Sequence, residues 1–136
     1  MSLTPHHIGI SVTDLSRAVE SYTTLLGISV SDQFSVSGAA FSTVVGVEDA
    51  AGEFVHLDAG PIRIELVEYD VEDPPEDSVA FPGNVHLAVE TDDVDATFGA
   101  LPSGVETVSE PQTTASGTRL VFARGPDGTL VEFLES

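Results

Sequence analysis

Residues 62–68 read IRIELVE and residues 129–135 read TLVEFLE, so one pattern occurs twice in the chain. In an extended strand successive side chains alternate between faces. Ile62, Ile64 and Leu66 therefore point one way and Arg63, Glu65 and Val67 the other. Aligning the copies puts Glu132 where the first has Glu65. A carboxylate inside an apolar strand is costly to bury without compensation, so each Glu must be paired, coordinated or wet. Two at equivalent places call for one shared explanation.

Working outward, residues 5–12, PHHIGISV, alternate with Ile8, Ile10 and Val12 on one face and His7, Gly9 and Ser11 on the other, as a half-buried strand does. Thr13 and Asp14 offer an N-cap. Leu15, Ala18, Val19, Tyr22, Leu25 and Leu26 follow at helical spacing, and Gly27 is placed to stop the helix. A second strand is expected over 28–36, whereas 39–47 fits a strand or a short helix equally well. Residues 52–58, GEFVHLD, form a strand, Ala59-Gly60-Pro61 turns it, and IRIELVE returns beside it. This first module, residues 1–70, is β-α-β-β-β.

Residues 71–78, VEDPPEDS, are acidic and carry Pro74-Pro75, which predicts an extended, solvated connector. The pattern restarts in a second module, residues 79–136. Residues 84–90, NVHLAVE, place Val85, Leu87 and Val89 on one face and His86, Ala88 and Glu90 on the other. Asp92 or Asp93 caps a short helix through Val94, Phe98 and Leu101. Strands follow over 105–109, 119–123 and 129–134, with Gly125-Pro126-Asp127-Gly128 as the last turn. The expected class is α+β, two tandem βαβββ modules in one domain.

Spacing supports a duplication. His7 to His86 and Asp14 to Asp93 are each 79 positions, and Glu65 to Glu132 is 67. The His-to-Glu interval is thus 58 in the first module and 46 in the second, and the twelve extra residues fall before Gly52. His7, Glu65, His86 and Glu132 all lie opposite the face that should pack on a helix. If the two sheets curve toward each other, two imidazoles and two carboxylates converge, a donor set suited to one divalent ion such as Zn, Fe, Mn, Co or Ni. A lone strand histidine is more often a hydrogen-bonded structural residue; four matched positions outweigh that reading. His6 is read as structural, on the helix face or at the strand end. His56 neighbours Glu65 and is a candidate to line the cleft and touch substrate, against the commoner satisfied histidine. Arg63 shares the face of Glu65 and could hold a substrate carboxylate.

Composition narrows the classes. A 136-residue chain buries roughly two thirds of its unfolded surface. There is no cysteine, which removes disulfides, thiolate metal sites and cysteine nucleophiles. Four arginines against 23 acidic residues give a net charge of −19, so no basic patch for nucleic acid can be built. The acids are dispersed, as on a surface adapted to concentrated salt. No basic leader and no apolar run of about 20 residues is present, which predicts a cytoplasmic protein without a membrane span.

The segments HHIGISVTDL, IELVE, FPGNVHLAVETDDVDA and GPDGTLVEFLE together resemble the vicinal oxygen chelate superfamily of glyoxalase I, methylmalonyl-CoA epimerase, extradiol dioxygenases and bleomycin-resistance proteins. The resemblance covers essentially the whole chain. It implies a glyoxalase-like fold, a half-open barrel with the metal between modules held by His7, Glu65, His86 and Glu132. It further implies a lyase or isomerase acting on a small substrate with vicinal oxygens through a metal-stabilised enediolate, with Glu132 or Glu65 moving the proton and Glu132 preferred. The alternatives it leaves are an extradiol-type dioxygenase and a non-catalytic small-molecule-binding protein. The open sheet edges of a half-barrel favour a homodimer.

Overall fold

The computed structural model describes residues 2–136. Strand β1 (Leu3–Ser11), helix α1 (Leu15–Leu26), β2 (Val30–Ser37), α2 (Ala39–Val45), β3 (Ala51–Asp58) and β4 (Arg63–Tyr69) form the first half. The second half is β5 (Val85–Thr91), α3 (Val94–Gly99), β6 (Gln112–Thr113), β7 (Arg119–Arg124) and β8 (Leu130–Glu135). All eight strands join one mixed sheet in the order β2-β3-β4-β1-β5-β8-β7-β6, which curves into a half-barrel. The order is symmetric about its centre. Within each half the first and last strands run parallel, β1 with β4 and β5 with β8, and the antiparallel β1–β5 pair joins the halves within one chain.

Helix α1 starts where Asp14 accepts from the Arg17 amide at 3.1 Å and ends at Gly27, whose φ of 67° suits a residue without Cβ. Its apolar side covers Val55, Leu57 and Leu66, the last two fully buried. Each such leucine contributes about 1.5–3 kcal/mol. Leu25 and Leu26, expected in that stripe, are instead exposed, Leu25 by 78%. Glu68 accepts from the Leu15 amide at 2.8 Å, and Glu135 from the Val94 amide at 2.9 Å. These pairs repeat the 79- and 67-residue offsets, so a helix N-terminus in each half is tied to the strand that closes it.

The open stretch before β3 folds as α2, bracketed by Gly38 and Gly46 with φ of 108° and 73°. Positive φ at both ends lets the chain turn sharply, so one short helix fits and an extended strand does not. Phe41, Val44 and Val45 of α2 are buried in the inner core with Phe54, Phe122 and Leu134.

Two expectations change. The strand expected over 105–109 is absent. That segment lies beside β7 through Val108 N–H to Phe122 O and Arg124 N–H to Glu106 O, but forms only an isolated bridge at Thr107. Pro111, which has no amide hydrogen, precedes the two-residue β6. The connector is solvated only through Asp77; Ser78, Val79 and Ala80 are buried. Asn84 Nδ2 donates to Glu76 O and Ser78 O, and Ser11 Oγ donates to Ala80 O, folding the end of the connector onto β1.

Candidate metal centre and its cavity

The central strands carry the site. His7 is on β1, His86 on β5, Glu65 on β4 and Glu132 on β8, all facing the concave side and all buried. The register explains the convergence. Gly9 pairs with both His86 and Glu65, and Ala88 pairs with both His7 and Glu132. A small residue therefore stands between the His and the Glu on each side, and positions 9 and 88 are again 79 apart. At Gly9 the space is already taken: a Cβ there would lie 2.0 Å from His86 Cε1.

His7 Nε2 lies 3.1 Å from His86 Nε2. Glu65 Oε1 is 3.5 Å from the His7 nitrogen and 3.7 Å from that of His86; Glu132 Oε1 is 3.4 and 3.3 Å away. Atoms that each lie about 2.0–2.2 Å from one ion are separated by roughly 3–3.5 Å, so the two imidazoles and two carboxylates fit a divalent cation. His7, Glu65 and His86 form the compact trio, and Glu132 joins it through both histidines. The pairing of sequence positions 7, 65, 86 and 132 is thus a spatial one.

The electrostatics agree with that arrangement. Burial pushes the Glu132 carboxyl up, but hydrogen bonds to His7 and His86 and their charges outweigh it and hold Glu132 far below the ordinary 4.5. Burial pulls the His7 imidazole down, and the Glu132 hydrogen bond together with Glu65 and Glu132 lifts it above its ordinary 6.5. Burial, next to these same carboxylates, raises the Tyr69 hydroxyl well above its ordinary range and keeps it protonated.

His56 lines the cavity and donates Nε2–H to Glu65 Oε2 at 2.8 Å. It is therefore placed to orient Glu65 and leave Oε1 facing the histidines. Arg63 does not line the cavity: it is exposed, and its Nη1 lies 3.3 Å from His6 Nε2. A bulge between Pro5 and His7 breaks the alternation of β1, so His6 faces the cavity rather than the helix side, with its Nδ1 2.8 Å from His7 Nδ1. Sequence reasoning also passed over the aromatic wall. Phe34 stacks on Phe54 with centroids 5.1 Å apart, and Phe34 and Phe122 stand edge-on to His56 and His86. The signal was parity, since Phe54 lies two residues before His56 on the same strand.

Known proteins resemble this chain over nearly its whole length. The chain is 31% identical over 134 residues to uncharacterized protein YwbC of Bacillus subtilis (strain 168), covering 95% of this chain and 94% of that protein. It is 29% identical over 143 residues to a 2-epi-5-epi-valiolone epimerase of an Actinomyces species, covering 95% and 77%. Among solved structures, Streptomyces coelicolor methylmalonyl-CoA epimerase in complex with 2-nitronate-propionyl-CoA superposes with a TM-score of 0.68 at 27% identity, covering 99% of each chain. The family profile spans residues 4–133, from β1 to β8, and so takes in all four converging side chains. Sheet order, paired offsets and profile together show that the chain belongs to the Glyoxalase/Bleomycin resistance protein/Dioxygenase superfamily.

Proposed function

We propose that this protein is a metal-dependent epimerase or isomerase that moves a carbon-bound proton next to two neighbouring substrate oxygens. The observation that carries it is the convergence of His7, Glu65, His86 and Glu132 donor atoms within 3.1–3.7 Å contacts in a half-open cavity. The epimerases among the similar proteins favour the same reaction class. When bound, a divalent ion would act as a Lewis acid toward the paired oxygens and stabilise the charge that develops as the proton leaves.

The chain's own groups divide the remaining work unequally. Glu65 is held at both oxygens, Oε2 by His56 and Oε1 facing the two histidines. Glu132 meets only the two histidines, and no described residue holds its Oε2. The less constrained carboxylate is the one able to move, so Glu132 is the proton-transfer group and Glu65 the fixed ligand. In the resting site the hydrogen bonds and charges of His7 and His86 keep Glu132 ionised, and loosening from them is what restores its basicity toward the substrate proton. Tyr69 and the phenylalanines line the cavity around it with apolar surface.

The test is elemental analysis of the purified protein and its His86→Ala variant, followed by NMR detection of solvent deuterium entering the α-carbon of hydroxyketones. Stoichiometric metal lost in the variant, with metal-dependent exchange in the parent, is the expected result. No metal after reconstitution, or metal without exchange on any substrate, rejects the reading.

A further inference from the structure

The cavity above the four donors is about 160 Å³, close to the roughly 150 Å³ apolar cavity that takes up a benzene ring. Phe34, Phe41, Phe54, Phe122, Leu120 and Leu134 contribute to its mainly apolar wall. Among the described residues no arginine lines it, and the chain has no lysine. Each arginine is engaged or distant: Arg63 rests on His6, Arg119 forks onto Asp95 at 2.7 and 2.8 Å, Arg124 leans on Asp77, and Arg17 sits on α1.

The four cavity imidazoles do not replace a missing cation. His7 and His86 point their Nε2 atoms at the donor cluster, and His56 spends its Nε2–H on Glu65. His6 is occupied at both nitrogens, Nε2 lying 3.3 Å from the Arg63 guanidinium and Nδ1 2.8 Å from His7 Nδ1, so neither is free for a substrate. Two carboxylates already balance the charge of a divalent ion. A substrate anion would therefore enter an apolar space with no counter-charge, on a chain whose net charge is −19. The remaining polar side chains of its lining are neutral, the hydroxyls of Thr114, Ser116, Thr118 and Ser136.

We infer that the substrate is an uncharged molecule whose two neighbouring oxygens are attached to one ring-sized apolar group, such as an aryl or cycloalkyl hydroxyketone, and not an acyl-CoA or a hydroxy acid. This rests on the metal-dependent reading above and narrows its substrate class. It sets the chain apart from the structurally similar epimerase, whose ligand is an acyl-CoA.

The experiment compares 2-hydroxyacetophenone with mandelate, a ligand of similar size that carries a carboxylate, by calorimetric titration into zinc-loaded protein at low ionic strength. Zinc content is measured first. Free zinc favours the hydroxy acid, so the expected reversal, the ketone binding at least tenfold tighter, reports the cavity itself. The Thr118→Arg variant, which adds a cation to the cavity lining, is expected to shift the affinity ratio at least tenfold toward mandelate relative to the ketone. Mandelate or methylmalonyl-CoA binding as tightly as the ketone, no ketone binding, or no shift toward mandelate in the variant overturns the substrate class while the metal reading stands. Failure to take up stoichiometric zinc overturns the reading beneath it.

Discussion

Gly9→Ala is the sharpest perturbation of the site, because it changes no donor. The new Cβ would lie 2.0 Å from His86 Cε1, 2.5 Å from Nε2 and 2.6 Å from Nδ1. Carbon atoms settle at about 3.5–4.0 Å, so the imidazole must retreat by roughly 1.5 Å. Metal–ligand distances tolerate only about 0.2 Å. His86 is therefore lost as a ligand although it is still present in the sequence. Disturbing outer partners of a metal site costs about 10–100-fold in affinity. Losing one of four donors exceeds that range, so zinc Kd should rise at least ~100-fold, equivalent to about 2.8 kcal/mol. The overpacked pair should also lower the stability of the metal-free protein by about 1–3 kcal/mol. The assay is competition against a chromophoric chelator, with thermal unfolding of the metal-free protein in parallel. A variant whose zinc Kd stays within about threefold of the parent would refute the reasoning.

His56→Ala frees Oε2 of Glu65 and should weaken metal binding about 10–100-fold, with His56→Gln, which keeps a donor, recovering part of it; equal chelator competition by all three proteins would contradict the orienting role. Because His7 is raised above 6.5, a proton competes with the metal there, so affinity should fall as pH drops through that raised value, and a flat pH profile would exclude the competition. In the metal-free protein the stabilisation from His7 is fully present below 6.5 and lost as pH rises through its folded value. That from Glu132 is present above 4.5 and lost as pH falls toward its depressed value, so denaturant titrations should place the stability maximum between these pH values. The net charge of −19 predicts a melting temperature that climbs with salt as the Debye length shrinks from about 8 Å to about 3 Å at 1 M. Each kcal/mol of relieved repulsion would appear as roughly 3–4 °C, and identical melting in dilute and molar salt would reject the effect.

What sequence alone determined was carried by period and by repetition. Alternation placed His7, Glu65, His86 and Glu132 on the faces turned from the helices, and a strand's period of two leaves no other choice once its apolar face is known. The caps at Asp14 and Gly27 were legible because capping is local hydrogen bonding. The 79- and 67-residue offsets implied a duplicated frame, which belongs to the chain and not to its packing. Tertiary structure decided what depends on neighbours distant in sequence. The helix over Ala39–Val45 is specified by burial of Phe41, Val44 and Val45 in the inner core, which a seven-residue pattern cannot express. The bulge at Pro5/His7 turned His6 inward against the alternation. Whether an arginine sharing a face with Glu65 reaches the cavity depended on where Arg63 stands along β4, opposite His7 and beside His6. The roles of Gly9 and Ala88 appeared only in the register between strands, because the space a small residue leaves is defined by the ring that fills it from the next strand.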